Sequence, residues 1–269
     1  MPTSAAAFDQ SIERWNAEQS LPWNALKYRL ALAQLARHMG SGARRILDAG
    51  GGNGQEAIPL AQLGHQVTIV DYSQEMLADA ERRAAAAGVA QRVTLHFGSV
   101  REVPRLFPAA QFDVVLCHNV IQYVDDVPAL LRELAAALKP GGLLSILSIN
   151  RYSIPLRIAM PRGDLSRALA NLDARQQTAI LFDAEMTCYA ASEIVEMLGG
   201  AGCVGEGDYG IRCVCDYWGD NELKADPAVF KQLEALEFAL ADRHPYKLMA
   251  RYFHVRARRR GAGGGADLG

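Results

Sequence analysis

A glycine-rich turn between two apolar segments is the feature that most constrains the fold of this chain. The apolar run 46–49 leads into three successive glycines at 50–52, and a second apolar run at 67–70 ends in Asp71. The residues between the glycines and the second run have a helical composition. Strand, turn, helix and strand in this order form a βαβ unit, the crossover that joins two parallel strands. The pattern therefore predicts an α/β fold with a parallel sheet.

The residues of the turn indicate which ligand it accepts. Glycines let the backbone approach a ligand at a distance that any Cβ would prevent. Asp71 lies 21 residues after Gly50, close to the spacing of about 20 at which an acid binds ribose hydroxyls. Asp48 stands just before the glycines and would repel a pyrophosphate. The turn thus suits a ligand with a ribose and a positive charge but no phosphate, the alternative being a turn that binds no ligand.

The stretch DAGGGNG at 48–54 resembles the first motif of class I S-adenosylmethionine (SAM)-dependent methyltransferases. SAM carries an ammonium, a sulfonium and a ribose diol, and it has no phosphate. The resemblance implies that Gly50 and Gly52 lie against the methionine part of this cofactor. It also implies that Asp48 reaches the ammonium and that Asp71 accepts hydrogen bonds from the ribose. The simpler alternatives are that Asp48 caps a helix and that Asp71 belongs to a strand-end turn.

Strand and helix signals alternate along the first 150 residues and return after about residue 190. The predicted strands lie near 45–49, 66–71, 92–97, 112–117, 143–149, 203–215 and 249–257. The predicted helices lie near 24–39, 54–64, 74–88, 126–138, 189–200 and 226–243. We therefore expect a Rossmann-like, seven-stranded, mostly parallel sheet with helices on both faces and with ligands at the carboxyl ends of its strands.

The segment 150–188 interrupts this alternation. It is too long for a simple connection, so we expect an inserted helical lid there. No Pro/Ser-rich linker divides the chain, and its 269 residues, 50% hydrophobic and 22% charged, suit one domain with a full core. We therefore predict a single methyltransferase domain over 1–260 and a disordered tail over 261–269.

Composition and charge favour a cytoplasmic protein without a membrane segment or a metal. The formal net charge is -2, so no global field attracts nucleic acid. No apolar run reaches the about 18 residues that span a membrane, and the N-terminus lacks the basic start and apolar core of a signal peptide. The cysteines form no paired CxxC motifs, so we expect reduced core thiols and no metal site. They are Cys117, Cys188, Cys203, Cys213 and Cys215.

Residues at the ends of the third and fourth predicted strands also face the expected cofactor. Methyltransferases of this class often hold the adenine amino group with an acid-containing dipeptide after the third strand. This chain has no acid there, so backbone groups of Gly98 and Ser99 must replace it. Phe97 either stacks on adenine or belongs to the core. His118, at the end of the fourth strand, either contacts the cofactor or forms part of the wall.

Five blocks narrow the resemblance to one family. They are DAGGGNGQ, GHQVTIVDYS, LCHNVIQYVDD, GIRCVCDYW and HPYKLMARYFHVRARR, and the resemblance that they carry extends over most of residues 20–258. Together they resemble the tRNA 5-carboxymethoxyuridine methyltransferase family, and the last two blocks are the most specific. That family uses SAM to esterify the carboxylate of a modified wobble uridine, so the resemblance implies tRNA as a partner. A carboxylate is ionised at pH 7 and is its own nucleophile, so we expect no general base.

Such a reaction needs a cation that holds the acceptor carboxylate. Arg212 is our candidate because a guanidinium pairs bidentately with a carboxylate; the alternative is a surface ion pair. We expect Tyr217, Arg251 and Tyr252 to complete the pocket. Lys27 falls where the family has a basic residue near the carboxylate of SAM. The predicted cofactor-binding residues are Lys27, Asp48, Gly50, Gly51, Gly52, Asp71, Tyr72, Gly98, Ser99 and His118.

Two other functions remain open at the level of the sequence. The segment 171–177 has little net charge, where tRNA-binding members of the family often have a lysine-rich lid. Because phosphate neutralisation supplies most nonspecific RNA affinity, this favours a methyltransferase for a small molecule, whereas the two C-terminal blocks favour tRNA. The third hypothesis is a SAM-binding module without catalysis.

Overall fold

The computed structural model describes residues 12–108, 110–179 and 184–261, and its main element is a seven-stranded sheet. The strands in these ranges are β1 (Arg45–Ala49), β2 (Gln66–Asp71), β3 (Val93–Phe97), β4 (Phe112–His118), β5 (Leu138–Ile149), β6 (Gln176–Ala179), β7 (Ala184–Thr187), β8 (Cys203–Ile211) and β9 (Tyr252–Arg259). The sheet has the order β3-β2-β1-β4-β5-β9-β8, and β6 pairs antiparallel with β7. β1 is parallel to β2 and β4, and β2 is parallel to β3. The predicted Rossmann-like sheet is confirmed.

Helices precede, connect and follow these strands, and short acceptor side chains begin several of them. The helices of the described ranges are α1 (Ile12–Gln19), α2 (Pro22–Ala36), α3 (Ala57–Gln62), α4 (Gln74–Ala86), α5 (Val103–Leu106), α6 (Val127–Ala137), α7 (Ser153–Arg162), α8 (Leu165–Ala170), α9 (Ala191–Gly200), α10 (Asn221–Ala225), α11 (Pro227–Leu240) and α12 (Tyr246–Met249). Ser73 Oγ accepts from the N–H of Met76 at 3.1 Å, and Asp126 Oδ1 accepts from the N–H of Ala129 at 2.9 Å. These caps satisfy N–H groups that the first turn leaves without a helical partner.

The register of the central strands brings the predicted ligand residues to one edge of the sheet. Asp48 on β1 pairs with Ile69 on β2 and with Leu116 on β4. Asp71 and His118 are the last residues of those two neighbouring strands. Since carboxyl ends of parallel strands meet at the same edge, the glycine turn, the acid and the histidine share it.

The chain divides into two compact units. Among the described residues, the first unit comprises 12–37, 147–193 and 208–254, and the second comprises 38–146, 194–207 and 255–261. The first unit has an apolar core made of side chains that are buried or nearly so: Leu26, Leu30, Ala31, Leu147, Ile149, Ile154, Cys188, Ile211 and Tyr252. The second unit contains the glycine turn and the strands that flank it.

In the described part of the segment 150–188, where we expected a helical lid, the structure has α7, α8 and the antiparallel pair β6–β7. The sequence pattern did not predict this pair of strands. The side chains of Gln176 and Thr187 are hydrogen bonded across this pair at 3.1 Å, and those of Thr178 and Glu185 at 2.8 Å. Polar cross-strand pairs stabilise a hairpin, but they leave no apolar alternation in the sequence. The sequence pattern of this segment therefore predicts only a helical insertion.

The boundaries of three strands also differ from the prediction. β9 starts at Tyr252 and not at 249, because α12 extends to Met249. β8 ends at Ile211 and not at 215, because Arg212 takes φ +64°, a left-handed backbone conformation outside the strand region. β5 starts at Leu138 and so includes the Lys-Pro-Gly-Gly segment. The predicted tail lies, beyond Gly261, outside the described residues.

The structure also bears on the cysteines and on membrane insertion. All five cysteines are free and buried, which confirms the prediction of core thiols. None of the helices in the described part of the chain has both the length and the apolar character needed to cross a membrane.

Candidate functional site

The glycine turn after β1 is built so that the backbone stays uncovered where a ligand would lie. Gly50 has φ +79°, and a Cβ on it would stand 2.3 Å from Val120 Cγ2. Gly52 has φ +51°, and a Cβ there would meet nothing closer than Met76 Sδ at 3.9 Å. Both backbones are in the left-handed region that favours glycine. The first glycine is required by close packing, and the second leaves open space beside Asp71.

Asp71 is fixed at the end of β2 by two backbone donors. Its Oδ2 accepts from the N–H of Gly52 at 2.9 Å, and its Oδ1 accepts from the N–H of Ser73 at 2.9 Å. The carboxylate is buried, so its orientation is set by these bonds. A carboxylate oxygen has more than one lone pair, so both oxygens can still accept from the two hydroxyls of a ribose. The geometry suits the predicted role of this residue.

Asp48 is a buried acid whose surroundings call for a cation. It is 2% exposed, and its Oδ2 has no hydrogen-bond partner among the described residues. Burial raises the pKa of the Asp48 carboxyl well above its usual range, and the charges of Glu56 and Asp71 raise it further. A Cβ on Gly51 would come within 2.5 Å of this carboxylate. An orphaned acceptor beside two other acids fits a ligand with an ammonium and a sulfonium, as SAM has.

His118 is held by the protein on both sides of its ring. Its Nδ1 lies 3.1 Å from Glu56 Oε1 and its Nε2 lies 2.8 Å from Ser145 Oγ. Because both nitrogens have side-chain partners, the ring is anchored as a wall residue, and a contact with the cofactor would involve the ring face or its carbons. The next residue, Asn119, has φ +58°, a backbone conformation uncommon outside glycine. It redirects the chain at the exit of β4.

The turn after β3 offers acceptors, not N–H donors, to an adenine. The N–H of Gly98 donates to Asp71 O and the N–H of Ser99 donates to Glu102 Oε2, both at 2.9 Å. An adenine amino group is itself a donor, so only acceptors of this turn would serve it. Phe97 is 60% exposed, which excludes the core alternative for its ring. Tyr72, directly after Asp71, is half-buried.

A cluster of arginines around one carboxylate is the second chemically distinctive place, and it lies within the first unit. Asp216 Oδ1 accepts from Arg212 Nη2 and from Arg251 Nη1, each at 2.6 Å. The second terminal nitrogen of Arg212 donates to Asn24 Oδ1 at 2.7 Å. Arg212 is 4% exposed, so the alternative of a surface ion pair is wrong. We call Arg157, Arg212, Asp216, Arg251 and Tyr252 the arginine cluster.

Charges in this cluster outweigh the effect of burial on its acid and its phenol. Burial would raise the pKa of Asp216, but Arg212 and Arg251 lower it to about 2. Burial would also raise the pKa of Tyr252, but Arg251, Lys27 and Arg212 lower it to about 8. Both shifts have the same cause, an excess of positive charge around few acceptors. The cluster therefore favours anions.

Lys27 and Tyr217 lie at the borders of this cluster. The Nζ of Lys27 stands 4.4 Å from the ring centroid of Tyr28 and 5.4 Å from that of Tyr252. Lys27 is buried in the first unit, whereas the other predicted cofactor residues belong to the second. The hydroxyl of Tyr217 donates to the carbonyl of Met249. Tyr217 thus fixes the segment that leads into Arg251.

Two further polar side chains hold the loops that carry the cluster. The carboxylate of Glu237 is fully buried and accepts from the backbone N–H groups of three successive residues, 213–215. Asn150, at the end of β5, donates to Leu248 O at 2.8 Å and Ala250 O at 3.0 Å. These two side chains satisfy buried backbone groups of the loops that no neighbouring strand reaches.

Sequence reasoning missed several residues of these two places. Glu56 and Ser145 flank His118, and Asn24, Asp216 and Glu237 hold the arginines and their loop. Asp216 stands inside the block GIRCVCDYW, where an acid four residues after Arg212 was an available signal. Asn24 and Glu237 carry no such signal, because they reach the cluster only through the tertiary fold.

Comparison with known proteins places the chain among methyltransferases. Residues 46–142 match a protein family described as methyltransferase domain. The chain is 30% identical over 241 residues to a tRNA 5-carboxymethoxyuridine methyltransferase of Escherichia coli (strain K12), covering 90% of this chain and 87% of that protein. It is 34% identical over 116 residues to a ubiquinone biosynthesis O-methyltransferase of Xanthomonas euvesicatoria pv. vesicatoria, covering 43% of this chain and 47% of that protein.

A solved structure shares the fold. It is a SAM-dependent methyltransferase from Thermotoga maritima, described as a possible histamine N-methyltransferase, with a TM-score of 0.63 and 16% identity. The likeness covers 95% of this chain and 99% of that protein. Together with the glycine turn and its acids, these relationships establish SAM as the cofactor and methyl transfer as the reaction. The chain belongs to the class I SAM-dependent methyltransferases, in the family of the E. coli tRNA 5-carboxymethoxyuridine methyltransferase.

Proposed function

We propose that this enzyme transfers a methyl group to the carboxylate of 5-carboxymethoxyuridine in tRNA and so forms a methyl ester. The arginine cluster is the observation that supports this acceptor most strongly, since it is a buried and strongly cationic place with one carboxylate in it. The relationship to the E. coli enzyme extends over 90% of the chain. Burying several guanidiniums together is costly, and an anionic acceptor would offset this cost whereas a neutral acceptor would not.

The chemistry of this acceptor requires little from acid or base groups. SAM supplies a methyl group on a positively charged sulfur. An ionised carboxylate oxygen forms the new bond to that carbon, and the electron pair of the broken carbon–sulfur bond stays on sulfur, so no proton moves. The protein's task is to align the oxygen with the methyl group and to exclude water. We accordingly assign no general base.

In this proposal the second unit binds SAM and the predicted cofactor residues divide the work. Asp71 accepts from the ribose diol, and Asp48 faces the ammonium. Gly50, Gly51 and Gly52 let the backbone come close to the methionine part. We assign Tyr72, Gly98 and Ser99 to the nucleoside and His118 to the wall of the site. The contact of Lys27 with the carboxylate of SAM stays a prediction from the sequence. The protein works in the cytoplasm, where thiols such as its five free cysteines stay reduced.

On the acceptor side, we assign the walls of the carboxylate pocket to the arginine cluster. Arg212 and Arg251 are oriented by Asp216, and their charges act on the acceptor without being free to swing away. Tyr252 lies within reach of both guanidiniums, 5.8 Å and 5.2 Å from its ring centroid. Tyr217 acts by fixing the backbone at Met249.

A small-molecule acceptor is the second candidate. The match to a ubiquinone biosynthesis O-methyltransferase covers 43% of the chain, and the formal net charge of -2 provides no general attraction for RNA. The two candidates need different chemistry, because a hydroxyl acceptor must lose a proton during transfer whereas an ionised carboxylate has none to lose.

The experiment that separates them uses purified enzyme, isotope-labelled SAM and tRNA that contains 5-carboxymethoxyuridine without its methyl ester. The nucleosides are then analysed by mass spectrometry. We expect one added methyl on that nucleoside and none on tRNA that lacks the modification. Binding of SAM without transfer to this tRNA would contradict the proposal and would leave the small-molecule acceptor.

A further inference from the structure

Arg157 on α7 is half-buried, and its helix packs against the core of the first unit. Ile154 and Ile158 of the same helix pack in the core cluster that contains Tyr252. Arg157 follows Ile154 by three residues and precedes Ile158 by one, so the three share the inner face of the helix. Its charge acts on Asp216 and on Tyr217, from another part of the chain. Arg157 thus belongs to the arginine cluster although it lies far from Arg212 in sequence.

The guanidinium of Arg157 has no hydrogen bond or ion pair with any side chain in the part of the chain that the structure describes. Arg212 and Arg251, by contrast, are held by the same oxygen of Asp216. Burial lowers the pKa of Arg157 to about 10, and the neighbouring charge of Arg251 contributes to the lowering. A guanidinium is a planar fork of donors that matches a carboxylate. Among the described residues of the cluster, Arg157 is therefore the guanidinium that no side chain holds.

The charges of the cluster do not balance. Arg157, Arg212 and Arg251 surround one carboxylate, that of Asp216, and the ammonium of Lys27 adds to them on the side of Tyr252. The buried Glu237 compensates only in part, because burial raises the pKa of its carboxyl and so disfavours the charged form. Buried charge without a partner is costly, and an incoming anion would remove that cost.

Unused donors point the same way. The Nε atoms of Arg212 and Arg251 are buried and have no hydrogen-bond partner among the described residues, and one acceptor of the cluster, Asp216 Oδ2, is also without a partner. A buried donor left without an acceptor costs about 1–3 kcal/mol. Sites that carry such donors are candidates for ligand binding, because a ligand can supply the missing acceptors. The ligand expected here is small, planar at its charged end and anionic.

We propose that Arg157 is the specificity-determining residue that binds the carboxylate of the acceptor, while Asp216 holds Arg212 and Arg251 as a fixed cationic wall. This inference rests on the proposed function, which it deepens. A carboxylate fits better than a backbone phosphate, because the half-buried guanidinium lies on the helix face that packs against the core, whereas phosphates of a tRNA contact the surface. The enzyme then selects acids and rejects neutral analogues of the same shape.

The test compares Arg157→Gln with Arg167→Gln. Arg167 is exposed on α8, so its variant removes the same charge from the same insertion without touching the cluster. We expect Arg157→Gln to lower kcat/KM on the modified tRNA roughly 100-fold with unchanged SAM affinity and melting temperature, and Arg167→Gln to lower it by less than about threefold. Arg157→Lys, which keeps the charge and loses the fork, should fall between wild type and Arg157→Gln.

A second readout does not depend on tRNA. Calorimetry compares binding of the nucleoside 5-carboxymethoxyuridine with binding of its neutral carboxamide, with S-adenosylhomocysteine present. We expect the wild type to prefer the carboxylate by at least about tenfold and Arg157→Gln to lose this preference.

Several results would overturn the inference. They are wild-type activity of Arg157→Gln, equal losses in the Arg157 and Arg167 variants, and loss of SAM binding together with activity. If the wild type does not methylate the tRNA, the proposed function fails, and the nucleoside comparison alone then decides the inference. A wild type that binds acid and amide equally would contradict it.

Discussion

Asp48 shows how a single buried residue can report on a ligand. A carboxylate that is 2% exposed, with one oxygen unpartnered and two other acids nearby, makes the cofactor-free protein less stable at neutral pH. The pKa of this group is raised in the folded state, so its stabilising contribution is present below the unfolded pKa of about 3.9 and is lost as the pH rises through the folded value. If Asp48 binds the ammonium of SAM as we propose, a cationic cofactor favours the ionised carboxylate and offsets this cost.

The corresponding prediction concerns Asp48→Asn, which keeps the shape and removes the charge. We expect the melting temperature of the cofactor-free variant to rise at pH 7 and its affinity for SAM to fall at least about tenfold, since a charge-assisted contact is lost. Differential scanning fluorimetry and calorimetry measure the two quantities. Asp173→Asn, at an exposed acid, is the matched control. A lower melting temperature or an unchanged SAM affinity would contradict this reading of Asp48.

Asp216 is the opposite case, an acid whose partners lower its pKa to about 2. A lowered pKa adds stability above the unfolded pKa of about 3.9, and this stability is lost as the pH falls through the folded value. Removing the charge leaves Arg212 and Arg251 without their shared partner. Removing one member of a buried ion pair in this way lowers the free energy of unfolding by about 3–5 kcal/mol.

We therefore predict that Asp216→Asn lowers the free energy of unfolding at pH 7 by about 3 kcal/mol or more. We also expect the difference between wild type and variant to shrink between about pH 4 and pH 2, as the wild-type carboxylate becomes protonated. Urea unfolding at a series of pH values measures both. A difference that stays constant down to pH 2 would show that this carboxylate does not carry the stabilisation.

At the scale of elements, the glycine turn was predictable from sequence and the arginine cluster was not. β1, the turn and β2 are contiguous, so the spacing from Gly50 to Asp71 already contains the geometry. The arginine cluster joins Asn24, Arg157 and Arg212, which lie more than 50 residues from one another and meet only through packing. The periodicity of a sequence reflects local secondary structure and does not indicate contacts between such distant residues. The sequence blocks identified some of its members but not the carboxylate that organises them.

The turn gives a prediction with an internal control. Gly50 and Gly141 have similar backbones, φ +79° and φ +74°, but a Cβ would strike Val120 only at Gly50. Alanine at Gly141 should cost about 1–2 kcal/mol of stability, from the left-handed backbone alone. Alanine at Gly50 should cost more and should also weaken SAM binding. Chemical unfolding and calorimetry of both variants test this.

The double variant Gly50→Ala/Val120→Ala separates steric overlap from backbone strain. Shortening Val120 removes the Cγ2 atom that stands 2.3 Å from the added Cβ, so part of the stability lost in Gly50→Ala should return. Equal stability of Gly50→Ala and Gly141→Ala would show that close packing is not the reason for glycine in this turn.

For the whole molecule, the class of sheet was predictable because the alternation of strands and helices is a property of long segments. The cofactor and methyl transfer were predictable because the glycine turn and its acids lie close together in the sequence. The antiparallel pair β6–β7 in the insertion and the early end of β8 at Ile211 escaped prediction. The pair β6–β7 is joined by polar side chains, so its sequence has no apolar alternation. β8 ends early because Arg212 adopts φ +64°, a backbone conformation that depends on the folded surroundings. The formal net charge of -2 did not predict the cationic cluster, because the sum over the whole chain does not show where positive charges lie close together.

The central claim is that the product is a methyl ester, and its stability to base tests this most directly. Modified tRNA is incubated with the enzyme and SAM labelled in the methyl group, repurified and treated with mild alkali. Esters hydrolyse under conditions that leave ethers and N-methyl groups intact, so we predict that the label is released as methanol and that 5-carboxymethoxyuridine is recovered. A label that stays on the nucleoside after this treatment would contradict the account.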